Sequence, residues 1–214
     1  MQQVRAIIFD MDGVIVDSEK RHERAFHEVV REIGYADKLQ TRFADYIGRS
    51  DQVLWKDFVA RYQPTQTAAE LLVMKRRIVV DIIRREQPLF AGLPELVEKL
   101  AARYTLGLAS GSERQVVETV LAIKSLGRFF SAVVTDSDVQ HGKPAPDIFL
   151  RAAELLKIAP QACCVIEDSK AGVAAGVAAG MQVIAITNTY PADELRHATH
   201  VVRTYEEIER RLLA

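Results

Sequence analysis

Short apolar runs alternate with helical patterns along most of this chain, and that alternation constrains the fold more than any other feature. Val4-Arg5-Ala6-Ile7-Ile8-Phe9 is short, apolar and β-branched, so it reads as a strand buried on both faces. Similar runs follow at Thr105-Leu106-Gly107-Leu108-Ala109, Ala132-Val133-Val134, Cys163-Cys164-Val165-Ile166 and Val183-Ile184-Ala185-Ile186, with a weaker one at Val201-Val202. Between them the periodicity predicts helices over about 93–103, 113–124, 145–157 and 170–180. Alternation of this kind argues for an α/β fold: a Rossmann-like, doubly wound parallel sheet with helices on both faces.

Residues 17–87 interrupt the pattern. Ala25, Phe26, Val29, Val30 and Ile33 recur at helical spacing, as do Val53, Leu54, Phe58 and Val59, and a third helix is predicted over 67–86. An all-helical block between the first strand and the rest of the sheet is expected to be an inserted cap. The core is then 1–16 and 88–214, and the crossings near Asp17 and Gln87-Pro88 can act as hinges. A length of 214 residues suits such an arrangement.

Charged residues make up 27% and the formal net charge is -1, so no electrostatic footprint for nucleic acid or a membrane surface is expected. No apolar run approaches the roughly 20 residues of a membrane span. The first residues run directly into the strand without the marks of an export signal, and the only cysteines, Cys163 and Cys164, are adjacent in a strand and point to opposite faces. A reduced, cytoplasmic protein is the expectation, and nothing in the sequence requires more than a monomer.

Three apolar runs end in residues that can do chemistry: Asp10 and Asp12 after the first, Ser110 after the second, Glu167-Asp168 after the fourth. In open α/β sheets ligands bind outside the carboxyl ends of the strands, so these residues can meet despite their separation in sequence. His141-Gly142-Lys143-Pro144-Ala145-Pro146-Asp147 adds a lysine on a proline-stiffened loop.

Four motifs, Phe9-Asp10-Met11-Asp12-Gly13-Val14-Ile15-Val16-Asp17-Ser18, Leu108-Ala109-Ser110-Gly111-Ser112, Gly142-Lys143-Pro144-Ala145-Pro146-Asp147 and Ile166-Glu167-Asp168-Ser169 with Ala171-Gly172-Val173, resemble in order those of the haloacid dehalogenase superfamily. The resemblance covers essentially the full length and points to the helical-cap branch, which contains small-molecule phosphatases and β-phosphoglucomutase. It implies phosphoryl transfer assisted by Mg2+, with a small-molecule phosphate ester as partner. Asp10 would be the nucleophile and form an aspartyl-phosphate, and Asp12 would be the general acid and base. Ser110, with Gly111 and Ser112, would bind phosphoryl oxygens while Lys143 holds Asp10 and the transferring group together. The metal would take Asp10, the backbone carbonyl of Asp12 and Asp168, with Glu167 in outer-sphere support.

Each residue also has a plainer reading. An isolated Asp-Met-Asp-Gly is a turn, Ser110 a strand-end serine, Lys143 a surface lysine and Asp168 a helix cap. The four motifs together outweigh these. Cap residues are less constrained: by the resemblance His22 couples cap closure to the general acid and Lys75 contacts a sugar, whereas the plain readings are a solvated histidine and a solvated basic helix face. Arg49 is a candidate substrate contact, and Trp55 is expected to pack inside the cap or face the cleft. At two positions the chain departs from the mutase pattern, carrying Asp51 for an arginine and Glu113 for a lysine, with Arg49 and Arg114 as partial substitutes. Hydrolysis is therefore expected, with a β-phosphoglucomutase-type transfer as the alternative and a non-catalytic phosphometabolite-binding module third.

Overall fold

A computed structural model describes residues 4–46 and 50–214. At its centre lie six parallel strands, β1 (Ala6–Phe9), β2 (Thr105–Ala109), β3 (Phe130–Val134), β4 (Cys163–Glu167), β5 (Gln182–Ile186) and β6 (His200–Val202), in the order β3-β2-β1-β4-β5-β6. β1 is flanked on both sides, Ala6–Phe9 standing opposite Thr105–Leu108 and Cys163–Ile166. Buried ladders on both edges and both faces require an uninterrupted apolar run, which Ala6-Ile7-Ile8-Phe9 supplies with all four residues fully buried. Burying a side chain such as Ile7 or Phe9 contributes about 1.5–3 kcal/mol.

Successive residues of each strand serve opposite layers. Ile7, Phe9 and Cys164 pack with α4 (Leu93–Ala101), α5 (Arg114–Ala122) and α8 (Tyr205–Leu213), whereas Ala6, Ile8 and Cys163 pack with α6 (Asp147–Leu156) and α7 (Lys170–Ala178). The two cysteines therefore do face opposite layers. The strand order reverses at β1 and β4, so the ends of these two neighbours form a topological switch point, the place where such sheets bind ligands.

The remaining helices, α1 (Glu19–Glu32), α2 (Asp51–Tyr62) and α3 (Ala68–Glu86), enter and leave side by side: the Asp17 N–H donates to the Pro88 carbonyl at 2.9 Å. Thr67 and Glu70 form a capping box at the start of α3, and Gln87 closes it in the left-handed conformation. Phe26, Phe43, Trp55 and Phe58 form an aromatic cluster in which the Phe26 ring lies 5.4 Å from Trp55 and 5.8 Å from Phe43. Trp55 is thus packed inside the block. Leu71 on α3 belongs to this cluster, but Val79, Val80, Ile82 and Ile83 further along join the core cluster of Val116, Val117 and Val120 on α5. One helix therefore ties the block to the sheet layer.

α8, beyond the weak Val201-Val202 run, was not among the predicted helices. Its Ile208 and Leu212 are buried at i,i+4 spacing and Thr204 accepts from the Glu207 N–H at 3.3 Å, a local signal diluted by the charges between them. β3 begins two residues before the predicted run, because Phe130 reaches into the core beside Phe9, with ring centroids 5.9 Å apart at 89°.

Candidate active site

The Asp10 N–H donates to the Ile166 carbonyl at 2.9 Å, extending the β1–β4 ladder by one bond before the chain turns. The turn is closed by three N–H groups, those of Val14, Ile15 and Val16, on the Met11 carbonyl. Gly13 has φ +80, and a Cβ there would lie 1.8 Å from Asp168 Oδ2, so both conformation and space require glycine. At the end of β4, Glu167 Oε2 accepts the N–H groups of Asp168 and Ser169 at 2.7 Å each. Gly172, at the start of α7, leaves room for this carboxylate: a Cβ there would lie 1.6 Å from Glu167 Oε1.

Lys143 arrives from the loop before α6. Its Nζ donates to Asp10 Oδ1 and, at 2.6 Å, to Glu167 Oε1, with the Phe149 ring 4.9 Å away. Carboxylate oxygens of Asp10, Glu167 and Asp168 all lie within 4.8 Å of one another. Burial pushes the Asp10 carboxyl up to about 8, against the pull of Lys143 and with the help of Glu167 and Asp12. Asp168 is likewise pushed well above the usual range by burial, then by Glu167 and Asp10. Burial pulls Lys143 down, but Asp10 and Glu167 outweigh it and keep it an ammonium. Three buried carboxylates and one ammonium leave excess negative charge and an all-oxygen donor set. That is the chemistry a hard divalent cation such as Mg2+ takes, so the residues fit the expected metal.

Asp12 is held differently. Ser18 donates to its Oδ1, Ser112 to its Oδ2 at 2.7 Å and Ser110 to Oδ2 at 3.4 Å, and the Ser112 N–H donates to Ser110 Oγ at 3.1 Å. Burial would raise this carboxyl, but His22 and the hydroxyls of Ser18 and Ser112 prevail and hold it well below the usual range. His22 Nε2 lies 3.7 Å from Asp12 Oδ1 and has no hydrogen-bond partner, while Nδ1 lies 3.2 Å from Lys75 Nζ.

Asp10, Asp12, His22, Gly111, Ser112, Lys143, Glu167 and Asp168 line one cleft of about 470 Å³ between the sheet edge and the helical block. Ser110 is fully buried behind it, touching Asp12. Lys75 corrects one reading: it is fully buried and paired with Asp51, so it is not on a solvated basic face, and its Nζ lies against the cleft-lining Asp51, His22 and Phe43. Arg49 lies outside the described residues. Sequence reasoning missed Ser18, and also Thr189, which donates to Asp168 Oδ2. It missed Asn188 and Tyr205 as well, which donate to the Gly13 and Val14 carbonyls at 2.7 Å each. Asn188-Thr189 follow the apolar run of β5, so the strand-end rule that selected Asp10 would have found them; nothing local marks Tyr205.

Comparison with known proteins gives a consistent picture. The haloacid dehalogenase-like hydrolase family model matches residues 4–180. Fructose-1-phosphate phosphatase YqaB of Escherichia coli K12 is 33% identical over 186 residues, 86% of this chain and 96% of that protein. Hexitol phosphatase B of the same organism is 32% identical over 200 residues, covering 92% of this chain and 87% of its own length. Among solved structures, CbbY from Rhodobacter sphaeroides superposes with a TM-score of 0.85 over 96% of both chains at 20% identity, a likeness of fold.

Proposed function

Since the chain belongs to the haloacid dehalogenase-like hydrolase family and is a phosphohydrolase, we propose that it is an Mg2+-dependent phosphatase of a small phosphorylated metabolite, a sugar phosphate, acting through an aspartyl-phosphate on Asp10. One observation carries this reading: Asp10 stands at the switch point, bridged by Lys143 to Glu167, with Asp12 two residues on and turned to the same cleft.

Residues 17–87 act as the cap over the sheet edge. Asp10 Oδ attacks phosphorus, forming a bond to the phosphoryl group as the bond to the leaving oxygen breaks. Lys143 lies against the attacking carboxylate and offsets charge that would otherwise repel the phosphate. Asp12 delivers a proton to the leaving oxygen, then takes one from the water that cleaves the acyl phosphate and restores Asp10. Because Ser18, Ser112 and His22 favour its ionised form, Asp12 takes up that first proton from solvent as the substrate binds, its dianionic phosphate raising the carboxyl it approaches. The Gly111 N–H, presented after β2, supplies a donor for phosphoryl oxygens, and Ser110, whose Oγ accepts from the Ser112 N–H, keeps Ser112 and Asp12 in place. Asp10, Asp168 and the Asp12 carbonyl would hold Mg2+, with Glu167 in support, and the ion would supply neutralisation of the transferring group.

Purified protein with Mg2+ should hydrolyse an activated aryl phosphate, and Asp10→Asn should abolish that activity. Turnover surviving in Asp10→Asn would remove Asp10 as nucleophile. A panel of phosphorylated metabolites then ranks the natural leaving groups.

A further inference from the structure

Opposite the sheet edge, the cleft is walled by the start of α2 and by the turn before α5, and among the described residues the cations beside that wall, Lys75, Arg76 and Arg114, are engaged. Lys75 of α3, with no exposed surface, donates to Asp51 at the first position of α2. Arg76, its neighbour, donates to Glu113 Oε2 at 2.5 Å, joining α3 to the turn before α5. Arg114 is turned to Asp138 Oδ2 at 2.6 Å. Among the described residues lining the cleft the basic side chains are Lys143 and His22, which face Asp10 and Asp12. Asp51, Glu113 and Asp136 line the same cleft.

A phosphate group carries about -1.5 to -2 charge and needs guanidinium or ammonium donors where it docks. Among the described residues Lys75, Arg76 and Arg114 are occupied, and the charged groups at this wall of the cleft, Asp51, Glu113 and Asp136, are acceptors. Glu113 and Asp136 are each raised above the usual carboxylate range, by burial first and then, against Arg76 and a backbone donor respectively, by the surrounding acids including Asp51. A further anion would add to that repulsion. A hydroxyl, by contrast, donates to a carboxylate without any change of charge.

We propose that Asp51 and Glu113 form a charge filter: by engaging Lys75 and Arg76 they confine the enzyme to monoesters whose leaving group is an uncharged polyol and exclude those carrying a second phosphate or a carboxylate. This inference rests on the phosphatase reading above and narrows its substrate. Glu113 is the position where the filter can be relaxed, because its partner Arg76 is partly exposed and remains solvated when freed, whereas removing Asp51 strands a buried lysine.

The test compares kcat/KM with Mg2+ for a hexose monophosphate and for the same hexose carrying a second phosphate at its far end. Wild-type enzyme should favour the monophosphate by roughly 100-fold, since like-charge juxtaposition costs several kcal/mol. Glu113→Gln, which frees Arg76, should narrow the ratio by about tenfold, and Arg76→Gln should widen it. Calorimetric binding of the two sugars to Asp10→Asn reads the same preference without turnover. Equal affinities there, a wild-type ratio near one, or variants that move both substrates in parallel overturn the filter. Absence of aryl phosphate hydrolysis with the binding preference intact overturns the phosphatase reading alone.

Discussion

Asp10 and Asp12 stand two positions apart at one strand end, yet their surroundings drive them in opposite directions. Asp10 is desolvated among Glu167 and Asp168, whereas Asp12 collects hydroxyl donors from Ser18 and Ser112 beside the His22 ring. The directions are the reverse of those a nucleophile and an acid need, and a cation beside Asp10 and a dianionic phosphate beside Asp12 would offset them. If Asp12 protonates the leaving oxygen, Asp12→Asn should cost about 10²–10⁴ in kcat for a sugar alkoxide, the usual worth of a general acid. It should cost far less for a nitrophenolate, which leaves without a proton. Measured on both substrates, equal losses would count against the acid. Elsewhere, burial alone pushes the Cys163 thiol up to about 11 and, as the leading cause, Cys164 up to about 12. Both remain thiols until the pH passes those values, and only the thiolate is alkylated. Iodoacetamide at pH 8 should label neither in the native protein and both in denaturant; rapid native labelling would contradict the placement of β4.

At the scale of elements, the strands were legible because a parallel strand buried on both faces must be apolar throughout, and the polar residues that end those runs are the site. What stayed hidden depends on contacts between distant elements. Lys75-Arg76-Arg77 looks like a solvated face, and only the approach of α2 and of the turn before α5 gives Lys75 and Arg76 their partners. Tyr205, at the start of α8, donates to the Val14 carbonyl 191 residues away and accepts from Asn188 at 3.0 Å. A helix without catalytic residues thereby braces the loop that carries Asp12 and Gly13. Tyr205→Phe leaves the Val14 carbonyl short of a donor, so it should cost about 1–2 kcal/mol. The melting temperature should fall by roughly 2–8 °C for a chain of this size. The brace predicts a loss of kcat at saturating Mg2+ beyond that fall in stability; a variant as active as wild type would show the hydrogen bond to be structural only.

For the whole molecule, the cap and core are joined through α3, whose first half packs with the aromatic cluster and whose second half packs on α5. Full detachment of the helical block would expose Val79, Val80 and Ile83. The stability of the assembly also depends on the carboxylates gathered at the switch point. With Asp10, Glu167 and Asp168 mutually within 4.8 Å and Lys143 beside them, ionising all three carboxyls is costly, and a bound cation relieves that cost. A ligand at about 100 times its Kd stabilises the native state by about 2.7 kcal/mol. Mg2+ should therefore raise the melting temperature by roughly 5–10 °C. Asp168→Asn removes a carboxyl that is costly to ionise in this cluster while deleting a proposed metal ligand, and the two consequences have opposite signs. Without Mg2+ the variant should melt at or above the wild-type temperature, and with Mg2+ it should lack the upward shift. Differential scanning calorimetry of the two proteins with Mg2+ and with chelator separates these effects. An unchanged shift in Asp168→Asn would remove that carboxylate from the metal site, and no shift in the wild type would remove the metal from the cluster.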